Sequence, residues 1–334
     1  MHNVLRLAII GAGASGLIAA SEAQHQGLLC TVFDKARRAG GRLASHRSDW
    51  GSFNHGAPFL SMPTQAPTPS DPRLQHALSH GLSTLHVSAI HGEKQPAFVP
   101  SDSINSLAQL WTEGLTCHFE HTLCELKHDG NNWWLKFSEQ LGWLGPFDRV
   151  LMTCPPVQAL ALLSKLPSQY RLCQQLQTMH HAPCWSVRWA PKASPALAAG
   201  VFIRDDLQAS GIALCIREDL RPQGGGAPRF TLHATAAWSA AHLEESSESV
   251  ALALMHAAAE ALKLPANTES LEAHRWRYGY VSAAAGKAYL RGEHGLFYAG
   301  DACLGATAID AMHSGLAAAD AICAELPLTA VDCR

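Results

Sequence analysis

Residues 5–17, LRLAIIGAGASGL, decide the fold. Within this stretch Leu7–Ile10 is a short apolar run typical of a buried strand. The segment Leu17–Gln26 that follows is Ala-rich and helical in composition. The stretch therefore predicts a strand that leads through a glycine-rich turn into a closely packed helix.

Three glycines in that turn, Gly11, Gly13 and Gly16, form the pattern G-x-G-x-x-G. Glycine at these positions permits a tight turn, close approach of the backbone to a pyrophosphate, and close packing of the helix on the strand. The helix N-terminus at Ala14 and Ser15 offers free N–H groups and the positive end of the helix dipole. We expect all five residues to lie in a dinucleotide site.

A second strand, Cys30–Phe33, ends at Asp34, which lies 18 residues after Gly16. At this distance an acidic residue accepts a hydrogen bond from the ribose 2′-hydroxyl. A glycine pattern alone also fits an ordinary turn. Strand, helix, second strand and acid together favour dinucleotide binding.

The next segment, residues 35–43 (KARRAGGRL), carries a glycine pair followed by Arg42. It resembles the G-G-R signature of flavin-containing amine oxidases and their relatives. The alternative, a basic surface loop, is disfavoured by its position directly after the ribose acid. The resemblance implies non-covalently bound FAD rather than exchanging NAD, with Lys35, Gly41 and Arg42 among the cofactor contacts.

Composition bounds the class of protein. The 334 residues suffice for about two domains, and the formal charge of −3 argues against a nucleic-acid binder. No apolar run approaches the ~20 residues of a membrane span. Because the chain enters a strand almost at once, we expect no signal peptide and a cytoplasmic protein.

Cysteine and histidine patterns point away from disulfides and metals. The ten cysteines are scattered without a C-x-x-C pair, which favours buried thiols in a reducing compartment. The 19 histidines include no H-E-x-x-H and no zinc-type spacing with cysteine. The sequence predicts no metal site.

Residues 46–61, HRSDWGSFNHGAPFLS, resemble the segment that follows G-G-R in renalase and related flavoproteins. The resemblance implies that the segment passes near the flavin, with Gly56 and Ala57 at the cofactor and Phe59 in the active site. Pro58 and Phe59 stand where bacterial renalases tend to have glutamine and tyrosine. Two possible polar contacts near the ring are therefore missing.

The middle of the chain contains three predicted strands: Thr116–Phe119, Thr122–His128 and Trp133–Phe137. The turn at residues 129–132 (DGNN) is a strong hairpin signal. The pattern resembles the β-meander inserted in glutathione-reductase-type FAD domains. The resemblance implies that the backbone near Leu123 contacts the adenine.

Further elements are predicted on either side of these strands: a loop at 62–72, helices at Asp71–His80, Ile104–Glu113, Val157–Lys165 and Ser249–Leu262, and strands at 147–154, 182–189, 200–204, 212–217 and 230–235. The 147–154 strand is stopped by two prolines and resembles the strand that returns to the nucleotide sheet in this family.

Two longer matches lie in the second half of the chain. Residues 233–244 (HATAAWSAAHLE) and 273–278 (AHRWRY) closely resemble runs of bacterial renalase-like proteins. The 233–244 match is long and much more specific than any glycine motif.

As a strand, the 273–278 run places His274, Trp276 and Tyr278 on one face and Arg275 and Arg277 on the other. One face is then suited to an aromatic pocket over the flavin, and the other to pairing with carboxylates. We take Trp276, His274 and Tyr278, with Phe59, as catalytic candidates. A structural strand with half-buried aromatic residues is the alternative.

The last signature is Leu296–Cys303, in which a strand ends at Gly300-Asp301 just before a helix. It resembles the second FAD fingerprint, whose Asp binds the ribityl chain. Thr307 is a candidate N-cap for the helix at 308–324. The N-terminus of that helix, at Ala308 and Ile309, is expected at the flavin, where its dipole stabilises negative charge on the reduced ring.

We therefore expect an α/β protein: a glutathione-reductase-type Rossmann FAD domain with an inserted α+β substrate domain, the p-hydroxybenzoate hydroxylase-like or amine oxidase architecture. The predicted bounds are 1–62, 97–163 and 268–330 for the FAD-binding domain and 63–96 and 164–267 for the substrate domain. Fingerprints at the two ends of the chain must belong to one sheet.

The resemblance to bacterial renalase-like proteins of the amine oxidase superfamily covers nearly the whole chain. It implies a hydride-accepting oxidase whose donors are aberrant dihydro-isomers of NAD(P)H and whose second substrate is O₂, reduced to H₂O₂. An amine oxidase is the first alternative. An FAD-binding redox or sensor protein with little turnover, suggested by Pro58 and Phe59, is the second. We expect small molecules, and neither nucleic acid nor membrane, as partners.

Overall fold

The computed structural model describes residues 4–61, 71–79, 82–89, 95–100, 103–192, 201–203, 205–222 and 224–325. The strands are β1 Arg6–Ile10, β2 Leu29–Phe33, β3 His46–Ser48, β4 Gly51–Phe53, β5 Leu60–Ser61, β6 Leu82–Ala89, β7 Gln95–Pro100, β8 Thr116–His118, β9 Leu123–His128, β10 Trp133–Phe137, β11 Leu144–Phe147, β12 Arg149–Met152, β13 His180–Ala190, β14 Val201–Ile203, β15 Ile212–Arg217, β16 Phe230–Ala234, β17 Ser270–Ala283, β18 Leu290–Arg291 and β19 Leu296–Tyr298.

The α-helices are α1 Ala14–His25, α2 Pro72–Ser79, α3 Ile104–Leu110, α4 Pro156–Leu163, α5 Tyr170–Leu176, α6 Ala236–Ala241, α7 Ser247–Leu262, α8 Asp301–Leu304 and α9 Ala308–Ala324. Among the described residues, no helix is both long and apolar enough to cross a membrane.

The first sheet has the order β18-β19-β12-β1-β2-β8 and is parallel except for the edge strand β18. Along β1, Leu7 and Ile9 pack into the core with α1 and α9. The alternate residues Ala8 and Ile10 pack toward β10, α4 and α5 on the other face. The expectation that both fingerprints share one sheet is confirmed, since β1 and β19 both pair with β12.

Helices α1 and α9 pack closely over this sheet. A Cβ added to Gly315 would lie 2.2 Å from the backbone oxygen of Ser15, so only glycine fits that contact. This close contact between α1 and α9 holds the two nucleotide fingerprints together.

The second sheet has eight strands in the order β17-β13-β16-β15-β14-β6-β7-β5. Helix α7 covers one face of it with a core that contains the stacked rings of Trp189 and Phe230, 5.1 Å apart. Strands β5 and β17 and most of β7 belong to this sheet although the predicted bounds place them with the cofactor domain. The domain bounds stay a prediction.

The predicted meander is confirmed only in part. The antiparallel sheet β11-β10-β9 contains the predicted strands 122–128 and 133–137, and its third strand is β11. The predicted strand 116–119 is instead β8, which pairs with β2 at the edge of the parallel sheet. The predicted 147–154 strand is not one strand, because β11 ends at Phe147 and β12 begins at Arg149. The hairpin β3–β4 and strands β5 to β7 had no counterpart in the sequence prediction. Most of the predicted 62–72 loop, residues 62–70, lies outside the described residues.

Candidate active site

A cavity of about 950 Å³ lies at the carboxyl ends of the parallel strands. We call its residues from the first sheet and the following loops the nucleotide wall: Ile10, Gly11, Gly13, Ala14, Ser15, Phe33, Asp34, Lys35, Ala36, Thr153, Cys154, Pro155, Gly300, Asp301, Thr307 and Ala308. We call its residues from the eight-stranded sheet the strand wall: Cys184, Leu214, His233, Arg275, Trp276, Arg277, Tyr278, Gly279 and Tyr280. Residues 40–43 and 56–59 lie between the two walls.

The glycine turn exposes backbone to the cavity. Gly13 is the N-cap of α1 and supplies no side-chain cap, and a Cβ added there would meet no atom within 4 Å. A Cβ at Gly16 would lie 2.0 Å from the backbone oxygen of Gly11, so that glycine serves packing. The Ser15 hydroxyl is buried without a hydrogen-bond partner in the described structure. Open space, free N–H groups and an unpaired hydroxyl suit a phosphate.

Asp34 orders this turn. Its carboxylate accepts hydrogen bonds from the backbone N–H of Ala12 (2.6 Å) and of Ala36 (2.7 Å). The same carboxylate lines the cavity. It therefore holds the turn in place and still presents oxygen lone pairs to a ribose hydroxyl.

Arg42 and Asp301 form a two-pronged ion pair, with Nη1–Oδ2 and Nη2–Oδ1 distances of 2.6 and 2.7 Å. His181 Nε2 lies 3.6 Å from Asp301 Oδ1. Burial alone would raise the pKa of Asp301, but His181 and the charge of Arg42 outweigh it and hold the pKa at about 2. The second fingerprint therefore presents a carboxylate that is ionised at neutral pH.

The segment 56–59 packs against the backbone of the loop that carries Arg42. The N–H of Ala57 donates to the carbonyl of Arg42 (2.7 Å), and a Cβ at Gly56 would lie 2.1 Å from that carbonyl. Gly56, Ala57, Pro58 and Phe59 all line the cavity.

A second set of contacts, centred on the buried Glu218 side chain, holds the segment that ends at Pro58. Glu218, which is fully buried, accepts hydrogen bonds from the Asn54 N–H (3.0 Å) and the Thr231 hydroxyl (2.6 Å). It also forms an ion pair with Arg221, whose Nη1 donates to the carbonyl of Pro58 (2.6 Å). We call these residues the Glu218 network.

Trp276 lies on the strand wall, and contacts with His55 hold its indole ring in place. Its Nε1 donates to the His55 carbonyl (3.0 Å), and its ring stacks on His55 at 5.5 Å. His274 contacts Trp276 edge-on at 4.4 Å. Burial, followed by the charge of Arg188, lowers the pKa of His55 to about 2, so this ring is neutral.

The predicted pairing of the two arginines with a carboxylate is confirmed. Arg275 and Arg277 both bind Glu244, with N–O distances of 3.1 and 2.8 Å. Both residues also line the cavity, and their side chains are partly exposed. Because the two arginines share one carboxylate, this group of three side chains keeps one excess positive charge.

Helix α9 begins as predicted. Thr307 is its N-cap, and its side chain accepts from the Asp310 N–H while the Asp310 carboxylate accepts from the Thr307 N–H, a capping box. Thr307 and Ala308 line the cavity, so the positive end of the helix dipole points toward it.

Most of the predicted site residues lie on the cavity: Gly11, Gly13, Ala14, Ser15, Asp34, Lys35, Gly41, Arg42, Gly56, Ala57, Phe59, Leu123, Trp276, Tyr278, Gly300, Asp301 and Ala308. Three do not line it. Gly16 packs under the glycine turn, Ile309 is in the core beside α1, and His274 lies behind Trp276.

Among the polar side chains of the strand wall, sequence reasoning missed Cys184, His233 and Tyr280. His233 opens the 233–244 run, and Tyr280 continues the alternation of Trp276 and Tyr278, so two of the three carried a signal. Nothing near Cys184 in the sequence distinguishes it from the other cysteines.

Comparison with known proteins identifies the family. Residues 9–88 match the model of an NAD(P)-binding Rossmann-like domain, and residues 70–323 match that of flavin-containing amine oxidoreductases. A curated 4,4'-diapophytoene desaturase of Staphylococcus aureus is 37% identical over 59 residues, which cover 18% of this chain and 12% of the desaturase.

Solved structures share the whole fold. A protein of Exiguobacterium sp. 255-15, provisionally assigned as a protoporphyrinogen oxidase, has a TM-score of 0.72 at 15% identity and covers 97% of this chain and 99% of its own. Cyclohexylamine oxidase from Brevibacterium oxydans IH-35A has a TM-score of 0.70 at 13% identity, covering 97% and 100%.

The residues present fit the FAD that such a family uses. The unpaired Ser15 hydroxyl and the open space at Gly13 suit a pyrophosphate, and the two wall carboxylates suit hydroxyl groups. Because the second model spans most of the sequence, the chain belongs to the family of flavin-containing amine oxidoreductases.

Proposed function

We propose that the protein is an FAD-dependent oxidase that takes a hydride from a dihydropyridine donor, an aberrant dihydro-isomer of NAD(P)H, and reduces O₂ to H₂O₂. Bound FAD supplies the electron chemistry, since it accepts two electrons as hydride and passes them to O₂. Donor, O₂ and one proton give NAD(P)⁺ and H₂O₂. We further propose that the nucleotide wall holds FAD non-covalently through the predicted contacts.

The observation that carries the proposal is the charge of the cavity. Among the described residues that line it, the only carboxylates are Asp34 and Asp301, and both belong to the nucleotide wall. A protonated amine therefore has no counter-charge on the strand wall. Arg275 and Arg277 share Glu244 as a carboxylate partner, and the excess positive charge of this group suits the phosphates of a dinucleotide donor instead.

No general base is needed for this chemistry, because hydride loss restores the aromatic pyridinium without a separate proton transfer. The strand wall then has to orient the donor and exclude water. Trp276, held by the His55 carbonyl, offers a rigid aromatic face for a planar ring. An amine oxidase, in which a neutral amine binds between aromatic rings, is the competing function.

The test is aerobic turnover of the FAD-loaded protein with each dihydro-isomer. We expect one O₂ consumed and one H₂O₂ formed per NAD(P)⁺ released. Turnover of amines to ammonia and a carbonyl product, with no reaction of the isomers, would replace this proposal by the amine oxidase.

Trp276→Ala should slow flavin reduction by the isomers more than it lowers FAD content, because the ring orients the donor. Trp143→Ala, which changes a partly exposed indole outside the cavity, is the matched control. Equal reduction rates in Trp276→Ala and the wild type would make Trp276 a structural residue.

A further inference from the structure

Three polar side chains of the strand wall come from neighbouring strands. Cys184 lies on β13, His233 on β16 and Tyr280 on β17, and β13 pairs with both of the other strands. All three residues line the cavity. The pairing thus brings together residues that lie far apart in the sequence.

A bulge in β17 sets the position of Tyr280. Between the pairs Cys184–Trp276 and Ala182–Tyr280, β17 carries two more residues than β13. Gly279 lies in this bulge, and a Cβ there would be 2.6 Å from the Cβ of Cys184. Glycine therefore allows the bulge to close onto β13 and brings Tyr280 beside Cys184.

The Tyr280 hydroxyl is only partly engaged by its neighbours. Its oxygen accepts from Cys184 Sγ (3.4 Å), an ordinary length for sulfur, and it lies 3.4 Å from His233 Nδ1. An O–H hydrogen bond to oxygen or nitrogen is usually shorter than ~3.2 Å. The phenol therefore keeps hydrogen-bonding capacity for a ligand in the cavity.

The cluster carries no charge at neutral pH. Burial raises the pKa of Cys184 to about 11 and lowers that of His233 to about 4. Burial also raises the pKa of the Tyr280 phenol far above its usual range. A charged ligand group buried here would have no oppositely charged partner among these three side chains. The free-energy cost of removing that group from water would therefore not be compensated.

We propose that Tyr280, backed by His233 and Cys184, is a recognition subsite for a neutral amide group on the electron donor. A carboxamide matches a phenol well, because it offers both a carbonyl acceptor and N–H donors. The inference rests on the proposed function, whose dihydropyridine donor carries a carboxamide. It deepens that function by assigning the residues that select the donor.

The test uses the FAD-loaded protein and three probes of similar shape: benzamide, benzoate and benzylamine, which are neutral, anionic and cationic near neutral pH. Binding is followed by the change in flavin absorption on titration. We expect benzamide to bind most tightly to the wild type. Tighter binding of benzylamine or benzoate, or no binding of benzamide, overturns the subsite.

Tyr280→Phe keeps the ring and removes the hydroxyl. We expect its Kd for benzamide to rise about 2- to 12-fold, the usual value of one neutral hydrogen bond. Tyr170→Phe, an exposed tyrosine on α5, is the matched control and should leave this Kd unchanged. An unchanged Kd in Tyr280→Phe overturns the subsite.

The two proposals fail separately. If the dihydro-isomers do not reduce the flavin but benzamide binding depends on Tyr280, the oxidase proposal fails and the amide subsite stands. If the isomers reduce the flavin and Tyr280→Phe binds benzamide like the wild type, the oxidase proposal stands and the subsite fails.

Discussion

The two walls of the cavity are built from different kinds of segment. The nucleotide wall is formed by turns at the ends of neighbouring parallel strands, such as the glycine turn that Asp34 orders through the N–H groups of Ala12 and Ala36. The strand wall is formed by residues within antiparallel strands that come from distant parts of the chain, such as Cys184 on β13 and Tyr280 on β17.

The walls also differ in how they are stabilised. The nucleotide wall depends on close strand–helix packing within a short stretch of sequence. The strand wall and the segment 56–59 depend on the Glu218 network, in which one buried ion pair joins Pro58 to β16. A single substitution in the Glu218 network should therefore lower the free energy of unfolding most. A single substitution in the nucleotide wall should weaken cofactor binding most.

The largest effect is expected for Arg221→Met. It leaves Glu218 buried without its cation, which costs about 3–5 kcal/mol in the free energy of unfolding. Urea unfolding at pH 7 measures it. Arg37→Met is the control, since the Arg37–Glu120 pair is exposed and should contribute below about 1 kcal/mol. Equal losses in the two variants would mean that the Glu218 network does not stabilise this region.

A smaller effect, on binding rather than folding, is expected for Asp34→Ala. A hydrogen bond to a charged group contributes about 1.5–3 kcal/mol, so the Kd for FAD should rise about 10- to 150-fold. Reconstitution of the apoprotein with FAD measures it, and Asp49→Ala, an exposed acid in the β3–β4 turn, is the control. Full FAD retention with unchanged affinity would contradict the assignment of Asp34.

A pH-dependent effect is a loss of stability in acid from the buried histidines His55 and His233. Their folded pKa values, about 2 and about 4, lie below the unfolded value of 6.5. The unfolded chain therefore binds more protons below pH 6.5, so the contribution is intact above pH 6.5 and is lost as the pH falls. At pH 5 each histidine should cost about 2 kcal/mol.

Urea unfolding at pH 7 and pH 5 checks this loss. In the double variant His55→Gln/His233→Gln the difference between the two pH values should shrink by the contributions of both rings. An unchanged difference would mean that neither imidazole is kept neutral by folding.

Short sequence patterns were sufficient to locate the glycines and carboxylates of the nucleotide wall, although not Thr153, Cys154 and Pro155 beside them. Gly13, Asp34 and Gly300 each lie at the carboxyl end of a strand, in patterns that span few residues, and the structure places all three on the cavity. Helix α9 and its N-cap Thr307 were also predicted correctly, because capping depends on adjacent residues.

The strand wall required information that local patterns do not carry. Cys184 and Tyr280 meet through the bulge at Gly279, and neither bulges nor strand register can be read from spacing alone. Glu218 and Arg221 lie in a stretch with no periodic pattern, and only the fold shows that they hold Pro58. His274, predicted to face the site, lies behind Trp276.

Anaerobic flavin reduction tests the central claim most directly. The FAD-loaded protein is mixed in turn with dihydro-isomers of NAD(P)H, with normal NADH and with amines, and the visible flavin band is followed. The account predicts rapid bleaching by an isomer and little by normal NADH or any amine. Bleaching by an amine alone, or by dithionite but by none of these donors, would contradict it.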